Sequence, residues 1–129
     1  MNTDNIQNIA TLSGRTLMSI IFIMAGYSKI GGYSGTQAYM ESMGVPGALL
    51  PAVIALELGG GLALLLGFKA RMIATLLAGF SIMAGILFHA NPNDQMQMIL
   101  LMKNLAIAGG LLYVVAFGAG NWSLDRRKS

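Results

Sequence analysis

The 129-residue chain has no cysteine, one histidine and one tryptophan, and only 10% of its residues are charged. Without cysteine it forms neither a disulfide nor a CxxC pair, which excludes thiol–disulfide exchange by its own residues. One histidine cannot supply bis-histidine haem ligation, and no thiolate is available to hold an iron–sulfur cluster. No flavin motif is apparent either, so redox chemistry would need a bound cofactor or a partner subunit. The opening MNTDNIQNIA carries Asp4 and lacks a basic n-region, so it does not read as a cleavable signal peptide. The net charge of +3 is spread over scattered cations beside apolar runs. With no aromatic-interleaved basic stripe, nucleic-acid binding is not expected. The order Asn91-Pro92-Asn93 is a turn and cannot be a glycosylation sequon.

What the chain does have is hydrophobic length, at 55% apolar residues. Four segments, about 11–30, 49–68, 72–89 and 96–117, approach or exceed the ~20 apolar residues that cross a bilayer. Hydrocarbon leaves backbone groups no outside partner, so each segment is expected to be a helix. The expected fold is all-α: a bundle of four transmembrane helices in a lipid bilayer. Residues 1–10 read as an N-terminal segment, 11–119 as the membrane domain and 120–129 as a basic tail. Between the first two spans, about 35–43 is expected to form a short interfacial helix stopped by Gly44 and Pro46, with Tyr33 and Tyr39 in the headgroup layer and Glu41 solvated. Lys69 and Arg71 flank a tight turn, which makes the second and third spans an antiparallel hairpin, and Asp94 is placed to cap the fourth. Lys69, Arg71 and the tail cations Arg126, Arg127 and Lys128 outnumber Lys29 and Lys103 on the other side, so both termini are expected in the cytoplasm.

The second span, LLPAVIALELGGGLALLLGF, carries one charge near its middle, Glu57. An ionisable group at that depth costs at least a few kcal/mol unless it is paired or wet. At 100° per residue Glu57 shares a face with Gly60, Gly61 and Leu64, and the glycines leave room beside the carboxylate for a helix, water or a ligand. Nearly opposite, Ala55-Gly59-Ala63 is a small-residue ladder expected to pack on a neighbouring helix. On the first span Arg15, Ser19, Phe22, Gly26 and Lys29 fall along one stripe. Lys29 reads as snorkelling to headgroups, while Arg15 is either snorkelling or inward and paired. On the third, Ala74, Ala78, Ser81 and Gly85 lead to His89, an interfacial cap or a proton relay. On the fourth, Lys103 and Asn104 are too polar to face lipid together. If the spans are level, Lys103 and Glu57 differ in depth by only about 5 Å, and Lys103 becomes the expected partner of the carboxylate.

GRTLMSIIFIMAGYSKI, YMESMGVP, ALELGGGLALLLGFKAR, KNLAIAGGLLY and GAGNWSLDR together resemble, in order and spacing, the DoxX family of small four-helix membrane proteins, over about Ser13 to Arg127. The resemblance implies a multi-pass protein of the bacterial inner membrane. It also implies a link to the membrane subunit of thiosulfate:quinone oxidoreductase, although most members have no assigned reaction. Arg15, Lys29, Glu57, Lys103 and Asn104 match the family's recurring polar positions.

Three functions follow as expectations. In the first, the protein is a membrane subunit or accessory of a redox system, on its own or as a homo-oligomer, binding a quinone or another small lipophilic molecule. Arg15, Glu57, Gly61, Lys103 and Asn104 are its ligand-binding candidates, Glu57 and His89 its catalytic ones, and no metal is involved. In the second, a carboxylate and a lysine drive proton-coupled transport of a small compound, which four helices allow only in an oligomer. In the third, the charged pair pins the bundle of a structural or assembly subunit.

Overall fold

The computed structural model describes residues 3–127; Lys128 and the side chain of Arg127, two of the tail cations, lie outside the described part. Six helical elements follow one another: α1 (Thr3–Gly31), α2 (Tyr33–Ser42), α3 (Gly47–Leu66), α4 (Ala70–His89), α5 (Gln95–Phe117) and the short α6 (Leu124–Arg127). Four of them, α1, α3, α4 and α5, are long and apolar enough to cross a membrane. Helix α1 starts at Thr3, so the expected N-terminal segment continues the first span as one helix.

Polarity is distributed in the reverse of a soluble bundle. Arg15, Ser19, Glu57 and Ser81 are buried, whereas Leu17, Met24, Tyr27, Tyr113 and Phe117 are largely exposed. In a bilayer this arrangement satisfies both sets, since lipid tails receive the apolar side chains and the interior supplies partners for the polar ones. The shared core is small-grained: Phe22, Leu64, Ala74, Leu77, Ala78, Ala108 and Leu111 meet at the centre.

The helices pair as α1 with α3 and α4 with α5, and α3 joins the pairs through α4. Glycine sets the first pairing. A Cβ on Gly26 would lie 3.0 Å from the Leu58 backbone nitrogen, and one on Gly61 would lie 2.8 Å from Ile23 Cγ1. The two backbones therefore touch where side chains are missing, the close approach that drives association in lipid. Gly60 similarly admits the Leu77 side chain of α4.

The ladder expectation is corrected here. Ala55 and Gly59 are exposed, and a Cβ on Gly59 would meet open space. The reason is the carboxylate. The helix must turn Glu57 inwards, Gly60, Gly61 and Leu64 turn with it, and the opposite face with its small residues packs on no other helix of the chain.

Helix α3 is not uniform. It opens with a 3₁₀ turn at Gly47–Leu49, carries Pro51 in its first α turn and widens into a π-helical turn at Ala55–Gly59 before resuming as α-helix from Gly60. Such turns insert an extra residue and occur often at functional sites. Glu57 sits in the middle of this one. The helix ends at Gly67, whose φ of +72° suits a residue without a side chain, and Lys69 at φ +48° starts α4. The sequence 67–69 is thus the tight hairpin turn read from the sequence.

Helix α2 lies between the first two spans. Its Gln37 Nε2 donates to the Gly47 carbonyl at 3.1 Å, fixing it to the start of α3. At the far turn, Asp94 Oδ1 accepts from the Met96 nitrogen at 3.0 Å and caps α5.

Candidate functional site

The buried polar residues form two centres, one at the α3–α4 turn and one around Glu57 near the middle of α3. The first lies where α1 and the segment 122–125 meet the α3–α4 turn. Arg15 is 3% exposed, and its Nη1 donates to the carbonyls of Leu64 at 3.1 Å and Leu65 at 2.9 Å, while Nη2 donates to that of Trp122 at 2.5 Å. Leu64 and Leu65 belong to the last turn of α3, where the Leu64 carbonyl accepts only the Gly67 nitrogen, at 3.1 Å, from the backbone, so the guanidinium caps that end and complements its dipole. The inward alternative for Arg15 is therefore the one realised, with backbone carbonyls as partners. The Asp125 carboxylate accepts from the backbone nitrogens of Lys69 at 2.7 Å and Ala70 at 2.8 Å, and the Asp125 nitrogen donates to the Gly67 carbonyl at 2.9 Å. An aspartate more than fifty residues away thus caps α4, and the C-terminal segment closes over the turn.

The second centre surrounds Glu57. Lys29 Nζ lies 2.7 Å from Glu57 Oε1, with side-chain exposures of 28% and 6%. At this distance the ammonium is both the counter-ion of Oε1 and its hydrogen-bond donor. This corrects two expectations: Lys29 does not snorkel away, and Lys103 is not the partner of the carboxylate. The reason is a step between α1 and α3. From the Gly26–Leu58 contact, α1 continues five residues, about 8 Å, whereas α3 extends eleven residues back to its start, about 16 Å. Lys29 therefore lies one turn past the contact and nearly level with Glu57. Lys103 is exposed because α5 lies at the edge of the bundle and turns its neighbour inwards: Asn104 Nδ2 donates to the Ser81 carbonyl of α4 at 3.1 Å.

The step leaves a cavity of about 530 Å³. Glu57 and Lys29 lie in its wall, with Lys103, Asn104 and His89 on the α4–α5 side. The remainder is mostly apolar, including Phe22, Leu56, Phe80, Phe88 and Ile107. Helix α2 roofs it with Thr36, Tyr39 and Met40, and the Tyr39 ring stacks on Phe88 with centroids 5.5 Å apart. His89 Nδ1 lies 2.7 Å from Gln97 Oε1, and with the amide oxygen accepting, Nδ1 is the donor. His89 thus ties α4 to the first turn of α5 and also lines the cavity.

Of the residues singled out from the sequence, this centre brings together Glu57, His89, Lys103 and Asn104. Arg15 belongs to the other centre, and Gly61 packs on α1 rather than lining the cavity. Lys29 was underrated, although its place on the stripe with Arg15, Ser19, Phe22 and Gly26 was the available signal: those four are all buried. Nothing in the spacing announced the π-helical turn or the Tyr39–Phe88 stack.

The pattern described as DoxX matches residues 10–90. The chain belongs to the DoxX family. It is 50% identical over 121 residues to inner membrane protein YqjF of Escherichia coli (strain K12), covering 94% of this chain and 93% of that one. It is 34% identical to inner membrane protein YphA of the same organism over 92% and 90% of the two chains. A third relative, described as putative oxidoreductase CatD of Bacillus subtilis (strain 168), is 30% identical over 78% and 80%. No solved structure matches significantly. With four membrane-length helices and these relatives, this DoxX protein is a multi-pass bacterial inner-membrane protein. The cavity centre and the Arg15 anchor both begin within the matched region, but the Trp122 and Asp125 contacts that complete the anchor lie beyond it.

The Arg15 anchor makes a direct prediction. Hydrogen bonds from a charged donor are worth about 1.5–3 kcal/mol each, so Arg15→Met should lower unfolding stability by at least that much and speed proteolysis of segment 118–124. Arg15→Lys should restore only part, because one ammonium does not span carbonyls on two segments. Wild-type stability and cleavage in Arg15→Met would show that the anchor does not hold the tail.

Proposed function

We propose that this protein is the membrane component of a redox system and that it binds a quinone or a similar lipophilic small molecule in the cavity beside Glu57. The observation that carries the reading is the Lys29–Glu57 pair set into the wall of a large, mostly apolar cavity. An ion pair serving packing alone would be enclosed by side chains. This one borders space, and the residues around it fit the ligand class: Phe22, Phe80 and Phe88 offer flat apolar walls to a ring, and the ammonium groups of Lys29 and Lys103 offer donors to its oxygens. A bound quinone would supply two-electron, two-proton acceptor chemistry.

The chain's own residues have distinct tasks in this reading. Lys29 orients a ligand oxygen and holds Glu57 in place. Glu57 exchanges a proton through the carboxylate oxygen that Lys29 does not hold, and the apolar walls exclude bulk water from that exchange. His89 Nε2 can accept a proton at the cavity edge while Nδ1 stays committed to Gln97. Electrons must come through a partner subunit or a bound group, since the chain has no thiolate and one imidazole for metal centres. The 30% identical relative described as a putative oxidoreductase supports this reading. In the same reading both termini face the cytoplasm, because Lys69, Arg71 and Arg126 lie at their end, and α2 lies at the opposite interface.

Thermal melting of the purified protein with a short-chain quinone tests the binding. At a hundredfold excess over the dissociation constant, the ligand should add about 2.7 kcal/mol of stability, and Glu57→Gln or Lys29→Met should abolish the increment. No increment in the wild type would remove the reading, and an unchanged one in both variants would move the site elsewhere. For orientation, reporters fused after Ser129 and near Asn93 should report cytoplasm and periplasm respectively; the reverse result would invert the topology.

A further inference from the structure

At the Arg15 end a second cavity, of about 370 Å³, opens between the start of α4 and the end of α5. Lys69, Arg71 and Arg126 line it, together with Asp125, Met72 and Phe117. Both Asp125 oxygens accept backbone N–H groups in capping α4, and the three cations lining the cleft outnumber this one carboxylate, which leaves a formal surplus of positive charge. Arg71 is held in position: its guanidinium lies against Gly118, where a Cβ would come within 3.3 Å of Nε, and Gly118 itself has φ +78°. On the membrane side, Met72 is 54% and Phe117 75% exposed, and the Phe117 ring stacks on Tyr113 one turn deeper at 6.3 Å. The cleft is therefore cationic towards the end of the bundle and apolar towards its middle.

The geometry points to this cleft as a binding site for an anionic phospholipid, with the phosphate on Lys69 and Arg71 and an acyl chain along Met72, Phe117 and Tyr113. A free phosphate would use the cations but not the apolar lip, whereas a zwitterionic lipid would use the lip but gain little from the positive surplus. Only an acidic amphiphile uses both. Guanidinium and ammonium groups are suited to phosphate oxygens, and the position where the chain leaves the hydrocarbon is where such headgroups lie. The site also has a structural consequence. It borders the turn that Asp125 and Arg15 hold closed, so an occupant there would reinforce the closure of the C-terminal segment.

The test uses the full-length protein in detergent, incubated with phosphatidylglycerol, phosphatidylcholine or inorganic phosphate, with bound lipid read by native mass spectrometry and stability by melting. Each cation near an acidic lipid contributes about a fivefold gain in affinity, so Lys69→Gln with Arg71→Gln should weaken phosphatidylglycerol retention by roughly 30-fold. Retention of phosphatidylcholine should be unchanged by the same pair, which also shows that the variant is folded. Phe117→Ser, with both cations intact, should weaken phosphatidylglycerol retention without altering any response to phosphate. Equal retention of the two lipids by the wild type would overturn the proposal. So would a melting shift from inorganic phosphate as large as that from phosphatidylglycerol, which would assign the cleft to a free anion.

Discussion

A carboxylate in the middle of a membrane helix is the constraint from which most of this architecture follows. Glu57 cannot face lipid without a cost of at least a few kcal/mol, so α3 is turned to bring it inwards, and Gly60, Gly61 and Leu64 come with it. Gly61 and Gly26 then let α1 and α3 approach until their backbones touch, and that contact brings Lys29 level with Glu57. The pair, the close helix packing and the cavity beside them are one arrangement. The unequal lengths of α1 and α3 beyond the contact open the space that α2 roofs.

The two centres treat charge in different ways. Arg15 and Asp125 spend their hydrogen bonds on backbone groups at the α3–α4 turn, making that end a closed anchor for the tail. Glu57 and Lys29 bind each other and still border open volume. A buried ion pair is weak evidence for stability in itself; its setting separates it from a packing device. The contrast is what favours the cavity centre for ligand chemistry, and it leaves Arg15 a structural residue although it is as inaccessible as Glu57.

Much of this was legible in the sequence, for identifiable reasons. Hydrophobic length and backbone satisfaction leave little choice about four helices, and helical phase alone put Glu57, Gly60, Gly61 and Leu64 on one face. The polar stripe of α1 was equally visible, but not that it faces inwards, since Lys29 read as snorkelling and Arg15 as open to either. What helical phase does not encode is relative depth. Treating the spans as level made Lys103 the nearest cation to Glu57, and the step between α1 and α3 depends on a glycine-to-backbone contact that one helix cannot reveal by itself. The same limit produced the error over Ala55-Gly59-Ala63, where small residues mark the face that can approach a neighbour without saying which face the charge has claimed. The capping of α4 by Asp125 was hidden for another reason, since a remote cap leaves no local signature.

The pairing of Lys29 with Glu57 is best measured by a double-mutant cycle of unfolding free energies in mixed micelles, using Lys29→Met, Glu57→Gln and the two combined, beside a parallel cycle for Lys103→Met with Glu57→Gln. Breaking a buried pair from one side costs about 3–5 kcal/mol because it strands the other charge, so the first double variant should be far less destabilised than the sum of its singles. The Lys103 cycle should be additive. Additivity in the Lys29 cycle, with coupling in that of Lys103, would contradict the account.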